Sequence, residues 1–287
     1  MPETPRIIAV IGPTASGKSS KAVALAKKLD GEVISVDSRQ VYRTLDIGTE
    51  KTSTEEMQGV PHYLIDIREP EERYSAGEFA KDAARLIEDM QARGKTPILA
   101  GGTHFYFDAL LYGLPAEPAQ PELRASLEAR STDDLFAELQ EKDPRRAARI
   151  DPQNKRRLVR ALEIVAARGA VPDRAKSEPA YDVEWVVVDH PKETLRARID
   201  ARLEQALARG LINEVERTRT RLGANAAADA RLNELGLEYR IIGEYLRGER
   251  SEESLLPALS SRLWRYARQQ KAWLKRLTRE ARPDLLQ

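Results

Sequence analysis

Gly12-Pro13-Thr14-Ala15-Ser16-Gly17-Lys18-Ser19 has the spacing G-x-x-x-x-G-K-[ST]. These residue types suit a polyphosphate. The glycines let the backbone curl so that several N–H groups and a helix N-terminus converge on an anion, Lys18 adds a point charge, and the Ser19 hydroxyl is a ligand for Mg²⁺. The context is right as well, because the apolar run Ile7–Ile11 precedes the loop and a helical pattern opens at Lys18. The spacing does not name the ligand: the β,γ-diphosphate of ATP and the diphosphate of an activated alkyl donor offer the loop much the same oxygens.

Asp37 follows the strand-like Glu32–Val36. At the carboxyl end of a strand in an open parallel sheet it lies on the ligand-binding edge. It is read either as a helix N-cap or as a base that receives a proton from a nucleophile attacking the phosphorylated donor. Ala100-Gly101-Gly102-Thr103 is a second small-residue turn after a strand-like run, and Thr103 could meet a ligand there. No apolar strand ends in an Asp-rich Walker B pattern and no Asn-Lys-x-Asp occurs, which weakens translocase and GTPase readings. A small-molecule kinase stays open on these facts.

The elements that must hold these residues are short β-branched runs at Arg6–Ile11, Glu32–Val36, His62–Ile67, Thr96–Ala100 and Glu184–Val188. Helical patterns such as Lys18–Leu29 and Ala76–Arg93 lie between most of them. Alternation of this kind predicts an α/β core, a parallel sheet covered by helices on both faces. Pro115, Pro118 and Pro121 then break the chain, and helical patterns follow at Pro121–Arg130, Thr132–Lys142 and Asn154–Ala167. The economical reading is an all-helical insertion over residues 114–182, set into a core of residues 1–113 and 183–287 that turns helical after Glu184–Val188.

With 32% charged and 41% hydrophobic residues over 287 positions, the chain has an ordinary globular composition. It contains no cysteine, so disulfides and cysteine-ligated metals are excluded. The only apolar run near the N-terminus, Ile7–Ile11, is too short for a signal peptide or a membrane span, and the expectation is a cytoplasmic protein with no membrane association. Charge balances at 47 basic against 46 acidic residues, but unevenly. Residues 144–160 carry seven Lys or Arg against one acid, and residues 262–282 carry eight against one, two local basic surfaces in a neutral chain.

GPTASGKS (12–19), ISVDSRQVYRTLDIGT (34–49), PHYLIDI (61–67), LAGGTHFYFDALLYGL (99–114), DPRRAARIDPQNKRRLVRALEI (143–164) and RYARQQKAWLKR (265–276) together resemble the tRNA dimethylallyltransferase family, in order and over essentially the whole chain. The resemblance implies a P-loop fold of kinase ancestry whose loop, Gly12 to Ser19, holds dimethylallyl diphosphate in place of ATP, with Ser19 facing Mg²⁺. It implies that Asp37 accepts from the exocyclic N6 amine of an adenine extruded from the anticodon stem-loop and acts as general base, with Thr103 near the reacting centre. Ser38, Arg39, Gln40, Arg124 and the segment Arg156, Arg157, Leu158, Val159, Arg160 would contact tRNA, and the enzyme would act as a monomer.

Two positions depart from the family pattern. Trp264 and Gln269 stand where two diphosphate-binding arginines are expected, so either Arg265 and Arg268 supply that charge from adjacent positions or the diphosphate is held more weakly. Glu238-Tyr239-Arg240-Ile241 replaces a Gly-Tyr-Arg-Gln run, which removes the ground for a tRNA contact near Tyr239. Three rivals remain: an adenylate isopentenyltransferase using free nucleotides, a kinase, and a non-enzymatic RNA-binding protein. Trp264 and Trp273 read as core anchors, His62, His104 and His190 as structural residues without metal-ligand spacing, and the acids of the inserted helices as surface charge.

Overall fold

The computed structural model describes residues 4–114, 120–172 and 178–281, with side chains to residue 275. Pro115, Pro118 and Arg282 lie outside the described residues, as do the side chains of Arg276, Arg279 and Glu280. The described residues form two compact units, Gly113–Glu178 and the remainder.

In the larger unit the strands are β1 (Arg6–Ile11), β2 (Gly31–Val36), β3 (His62–Tyr63), β4 (Thr96–Gly101) and β5 (Asp182–Val187). They form one parallel sheet in the order β3-β2-β4-β1-β5. Ile8 pairs with Ile98 on one side and Glu184 on the other, and Val33 pairs with Ile98, so β4 is the central strand with β1 and β2 beside it. Their residues are buried on both faces, as crossovers in a parallel sheet require. The third strand is shorter than the run His62–Ile67 suggests. Leu64 (φ 61°) and Asp66 (φ 55°) adopt left-handed conformations that end its extended backbone.

Helix α1 (Lys18–Lys28) lays Ala22, Val23 and Ala26 against Ile8, Val10, Val33 and Ile98. A short α2 (Thr54–Met57) precedes β3, and α3 (Ala76–Ala92) starts at a capping box in which Ser75 and Glu78 satisfy each other's backbone N–H. The amphipathic face of α3 buries Phe79, Ala83, Ile87 and Met90. Helix α4 (His104–Tyr112) starts directly after Thr103.

The smaller unit contains α5 (Pro121–Glu128), α6 (Thr132–Lys142), α7 (Pro144–Ala147) and α8 (Lys155–Arg168). Their apolar faces meet in one cluster of Leu127, Leu135, Leu139, Ile150, Leu158, Val159, Leu162 and Val165. The chain then completes the sheet with β5 and continues as α9 (Lys192–Ala208), α10 (Leu211–Arg221), α11 (Ala226–Leu235), α12 (Leu237–Leu246) and α13 (Leu255–Ala281). None of the described helices is long and apolar enough to cross a membrane.

Candidate active site

The carboxyl ends of β2, β4, β1 and β5 stand side by side, and each delivers one group to the same edge: Asp37, Thr103, the loop 12–19 and His190. Two glycines are required by close approach. A Cβ on Gly12 would lie 2.3 Å from the Val188 carbonyl oxygen, and one on Gly101 would lie 2.1 Å from that of Val36. The loop closes with Ser16 N–H donating to the Pro13 carbonyl (3.3 Å), Ala15 at φ 61° and Gly17 at φ 87° as the N-cap of α1. Among the described residues no side chain caps α1, and no acid lies in its first turn, so the helix start is open to an anion. The Ser16 hydroxyl is buried without a partner among the described residues, the kind of atom an incoming phosphate oxygen would satisfy.

Four side chains from three distant places brace this loop, and none of them stands out in the sequence. Gln270 of α13, 2% exposed, accepts from Thr14 N–H (2.8 Å) and donates to the Gly102 carbonyl (3.2 Å), joining the phosphate loop to the turn after β4. Arg202 of α9 donates to Thr14 Oγ1 and pairs with Glu50 (2.6 Å) and Glu238 (3.8 Å). Arg198, one turn earlier, donates to the Ala15 carbonyl (2.7 Å). His190 Nε2 lies 2.9 Å from the Ser16 carbonyl, a positioning contact that metal-ligand spacing could not have revealed. The only sequence signal for Arg202 and Arg198 is their helical spacing of four, which many surface arginines share.

Asp37 caps a turn and not a helix. Its Oδ1 accepts from Arg39 N–H (2.8 Å) and Gln40 N–H (3.4 Å), anchoring the turn, while its Oδ2 takes no hydrogen bond among the described residues. Thr103 Oγ1 accepts from Ser38 N–H (3.1 Å) and Thr103 N–H donates to the Val36 carbonyl (3.2 Å), so the two candidate catalytic residues are tied together. Around them, burial and Arg202 hold the Lys18 ammonium below its usual range against the pull of Asp37 and Glu50. Tyr266 of α13 leaves 40% of its surface open, yet burial of its phenol and the Asp37 charge push its pKa up to about 12. The phenol of Tyr106, buried and near Asp37, is pushed up as well.

Several residues expected at the site have other work. Arg265 and Arg268 are exposed and, at about 100° per residue, lie about 140° and 160° around α13 from Gln270, so they do not reach the loop. Arg202 and Arg198 are the cations that do. Gln40 is fully engaged: its Oε1 accepts from Ser35 Oγ (3.0 Å) and its Nε2 donates to the Glu50 carbonyl (2.9 Å), leaving no amide group for RNA. Arg39 is half-buried and donates to the Glu234 carbonyl. Leu158 (0% exposed) and Val159 (3%) belong to the core of the smaller unit and present no side chain to a ligand. Arg124 forms a two-pronged pair with the buried Glu163 (2.9 and 2.8 Å), which Arg160 also meets at 3.2 Å, so Glu163 is not surface charge and these two arginines are structural partners. Arg156 and Arg157 are exposed in the first turn of α8. Tyr239 is buried and donates to Glu214 (2.7 Å).

Trp273 stacks on His104 (4.1 Å between centroids) and lies near Phe107, while Arg196 covers Trp264 at 5.8 Å. His62 Nδ1 lies 2.8 Å from the Val60 carbonyl, and burial lowers its pKa. Among the described residues no three His, Asp or Glu side chains are grouped to hold a metal. A divalent ion here would be bound through Ser19, whose hydroxyl makes no hydrogen bond among the described residues, together with ligand oxygens and water, as Mg²⁺ prefers.

Residues 40–277 match the model of the IPP transferase family. The chain is 44% identical to the tRNA dimethylallyltransferase of Thermomicrobium roseum over 280 residues, covering 94% of this chain and 84% of the relative. It is also 44% identical to that of Anaeromyxobacter dehalogenans, covering 94% and 92%. Among solved structures it resembles the tRNA isopentenylpyrophosphate transferase of Bacillus halodurans (35% identity, TM-score 0.70, 98% of this chain and 88% of that one). It also resembles a eukaryotic dimethylallyltransferase acting on tRNA (28%, TM-score 0.81, 94% and 70%). The edge-on array of phosphate loop, Thr103 and Asp37 is thus part of a protein that belongs to the IPP transferase family, the family of the tRNA dimethylallyltransferases.

Proposed function

We propose that this enzyme transfers the dimethylallyl group of dimethylallyl diphosphate to N6 of the adenosine 3′ of the anticodon in tRNA, releasing diphosphate. The observation that carries this is the order Asp37, Thr103, phosphate loop on three neighbouring strand ends. Strands lie about 4.8 Å apart, so base and loop are separated by roughly 10 Å, a span that a diphosphate and its esterified carbon bridge. The reacting carbon would then lie over Thr103.

The N6 lone pair attacks C1 of the donor, the C1–O bond breaks with its electrons passing to the diphosphate, and Asp37 Oδ2 takes the N6 proton. Neutral adenine is a poor nucleophile, so alignment and stabilisation of the leaving charge dominate. Loop N–H groups, Ser16 Oγ, Lys18 and Arg202 hold that charge. Mg²⁺, bound by Ser19 Oγ and diphosphate oxygens, would add positive charge to the leaving group. The adenine must leave its stack to reach Asp37, and Tyr266 offers it an aromatic neighbour. Arg156 and Arg157 would meet tRNA phosphates. All these groups come from one chain, which we propose acts as a monomer in the cytoplasm.

Purified protein, Mg²⁺, labelled dimethylallyl diphosphate and unmodified tRNA with adenosine 3′ of the anticodon should yield labelled tRNA. Label entering free AMP instead, or no label transferred at all, would overturn the proposal.

A further inference from the structure

Four cations face the phosphate loop or its bracing network, Lys18, Arg39, Arg198 and Arg202, and three carboxylates already accompany them, Asp37, Glu50 and Glu238. A diphosphate therefore enters a site where most of the positive charge is already countered, and its binding is opposed unless one carboxylate gives way or is neutralised. Asp37 is anchored by two backbone N–H groups and is reserved for the proton of the nucleophile. Glu50 has a side chain 43% exposed and can swing into water. Glu238 has a side chain 12% exposed on α12, packed near Arg202, itself 12% exposed, and has no comparable escape.

We propose that Glu238 is the counter-charge of the diphosphate site, holding Arg202 before the donor binds and taking up a proton from water when a diphosphate replaces it as Arg202's partner. This rests on the diphosphate reading of the loop. Loss of that proton restores the Arg202–Glu238 pair and helps expel the diphosphate product. Burial already holds the Glu238 carboxyl above the usual carboxylate range, against Arg202 and Arg39, and a further negative charge nearby raises it again. The groups facing it are Arg202 of α9, Arg39 and Glu50 of the segment after β2, Tyr266 of α13 and Tyr239 of its own helix.

The test is calorimetric titration of the full chain with inorganic diphosphate and Mg²⁺, in two buffers of different ionisation enthalpy, for the native enzyme and Glu238→Gln. The variant should bind about tenfold more tightly, because an opposing charge is gone. It should also take up fewer protons, so that its affinity rises less steeply than the native enzyme's as pH falls. Equal affinity and equal proton uptake overturn the counter-charge role while leaving the diphosphate site intact. Absence of binding by the native enzyme overturns both. If Glu238→Gln does not fold, the native enzyme carries the test: proton uptake on binding beyond what diphosphate and Mg²⁺ themselves account for is expected, and its absence would overturn the proposal.

Discussion

Asp37 assigns different duties to its two oxygens, and the two simplest substitutions separate them. Asparagine keeps an oxygen for the Arg39 and Gln40 N–H groups and removes the base. Asp37→Asn should lower the single-turnover rate of prenyl transfer by about 10²–10⁴-fold with tRNA affinity and melting temperature nearly unchanged. Asp37→Ala should lose the anchor as well, at about 0.5–2 kcal/mol, read by thermal denaturation. Gln270 supports a parallel argument. Its replacement by alanine leaves Thr14 N–H and the Gly102 carbonyl without partners in a buried place, at about 1–3 kcal/mol each. Donor KM should rise together with that loss, and a Gln270→Ala enzyme with native stability and native KM would remove the bracing role.

At the scale of elements, the segment after β2 is held by a carboxylate from a helix far along the chain. Glu214 of α10, 3% exposed, accepts from the N–H groups of Asp46 (2.9 Å), Ile47 (2.7 Å) and Gly48 (2.9 Å) and from the Tyr239 hydroxyl (2.7 Å). Burial and Glu214 push the Tyr239 phenol well above its usual pKa, so it stays a donor throughout the working pH range. This anchor positions Glu50 and, through it, Arg202 at the loop. Glu214→Ala should cost about 3–5 kcal/mol in urea denaturation, since several buried groups lose their partner together, and Tyr239→Phe about 1–2 kcal/mol. On α13, Arg265→Ala and Arg268→Ala should leave donor KM unchanged, whereas Arg202→Ala should raise it; the reverse pattern would restore the two exposed arginines as the diphosphate ligands.

Across the whole molecule, the smaller unit carries charge that its own stability does not ask for. Lys155, Arg156 and Arg157 fill the first turn of α8, where a helix dipole favours acids, and no acid is there. Replacing Arg156 and Arg157 by alanine should weaken tRNA binding and reduce the salt slope by about 0.7–0.9 per lost phosphate contact, without lowering the melting temperature. An unchanged slope would return both to plain surface. Arg124→Ala should behave differently: Glu163, with a side chain 1% exposed, loses its two-pronged partner, and the unit should lose about 3–5 kcal/mol of stability.

Much of this architecture was legible because its causes are local. Apolar runs of strand length separated by helical periodicity specify a parallel sheet, and the glycines, lysine and serine of residues 12–19 specify a curled loop at a helix start, whatever else the chain does. The end of β3 at Tyr63 was not legible, because the left-handed turns at Leu64 and Asp66 do not follow from residue type. Helix periodicity tells which face is apolar but not which partner it meets. The contacts that complete the anion site therefore lay beyond reach: Arg202 to Thr14 spans 188 residues and Gln270 to Thr14 spans 256. The sequence by itself determined that a curled Gly-Lys-Ser loop suited to a polyphosphate lies at one edge of a parallel sheet. Only tertiary packing decided that Arg202, Arg198 and Gln270 brace it and that Glu238 opposes it, because those choices depend on how α9, α12 and α13 dock.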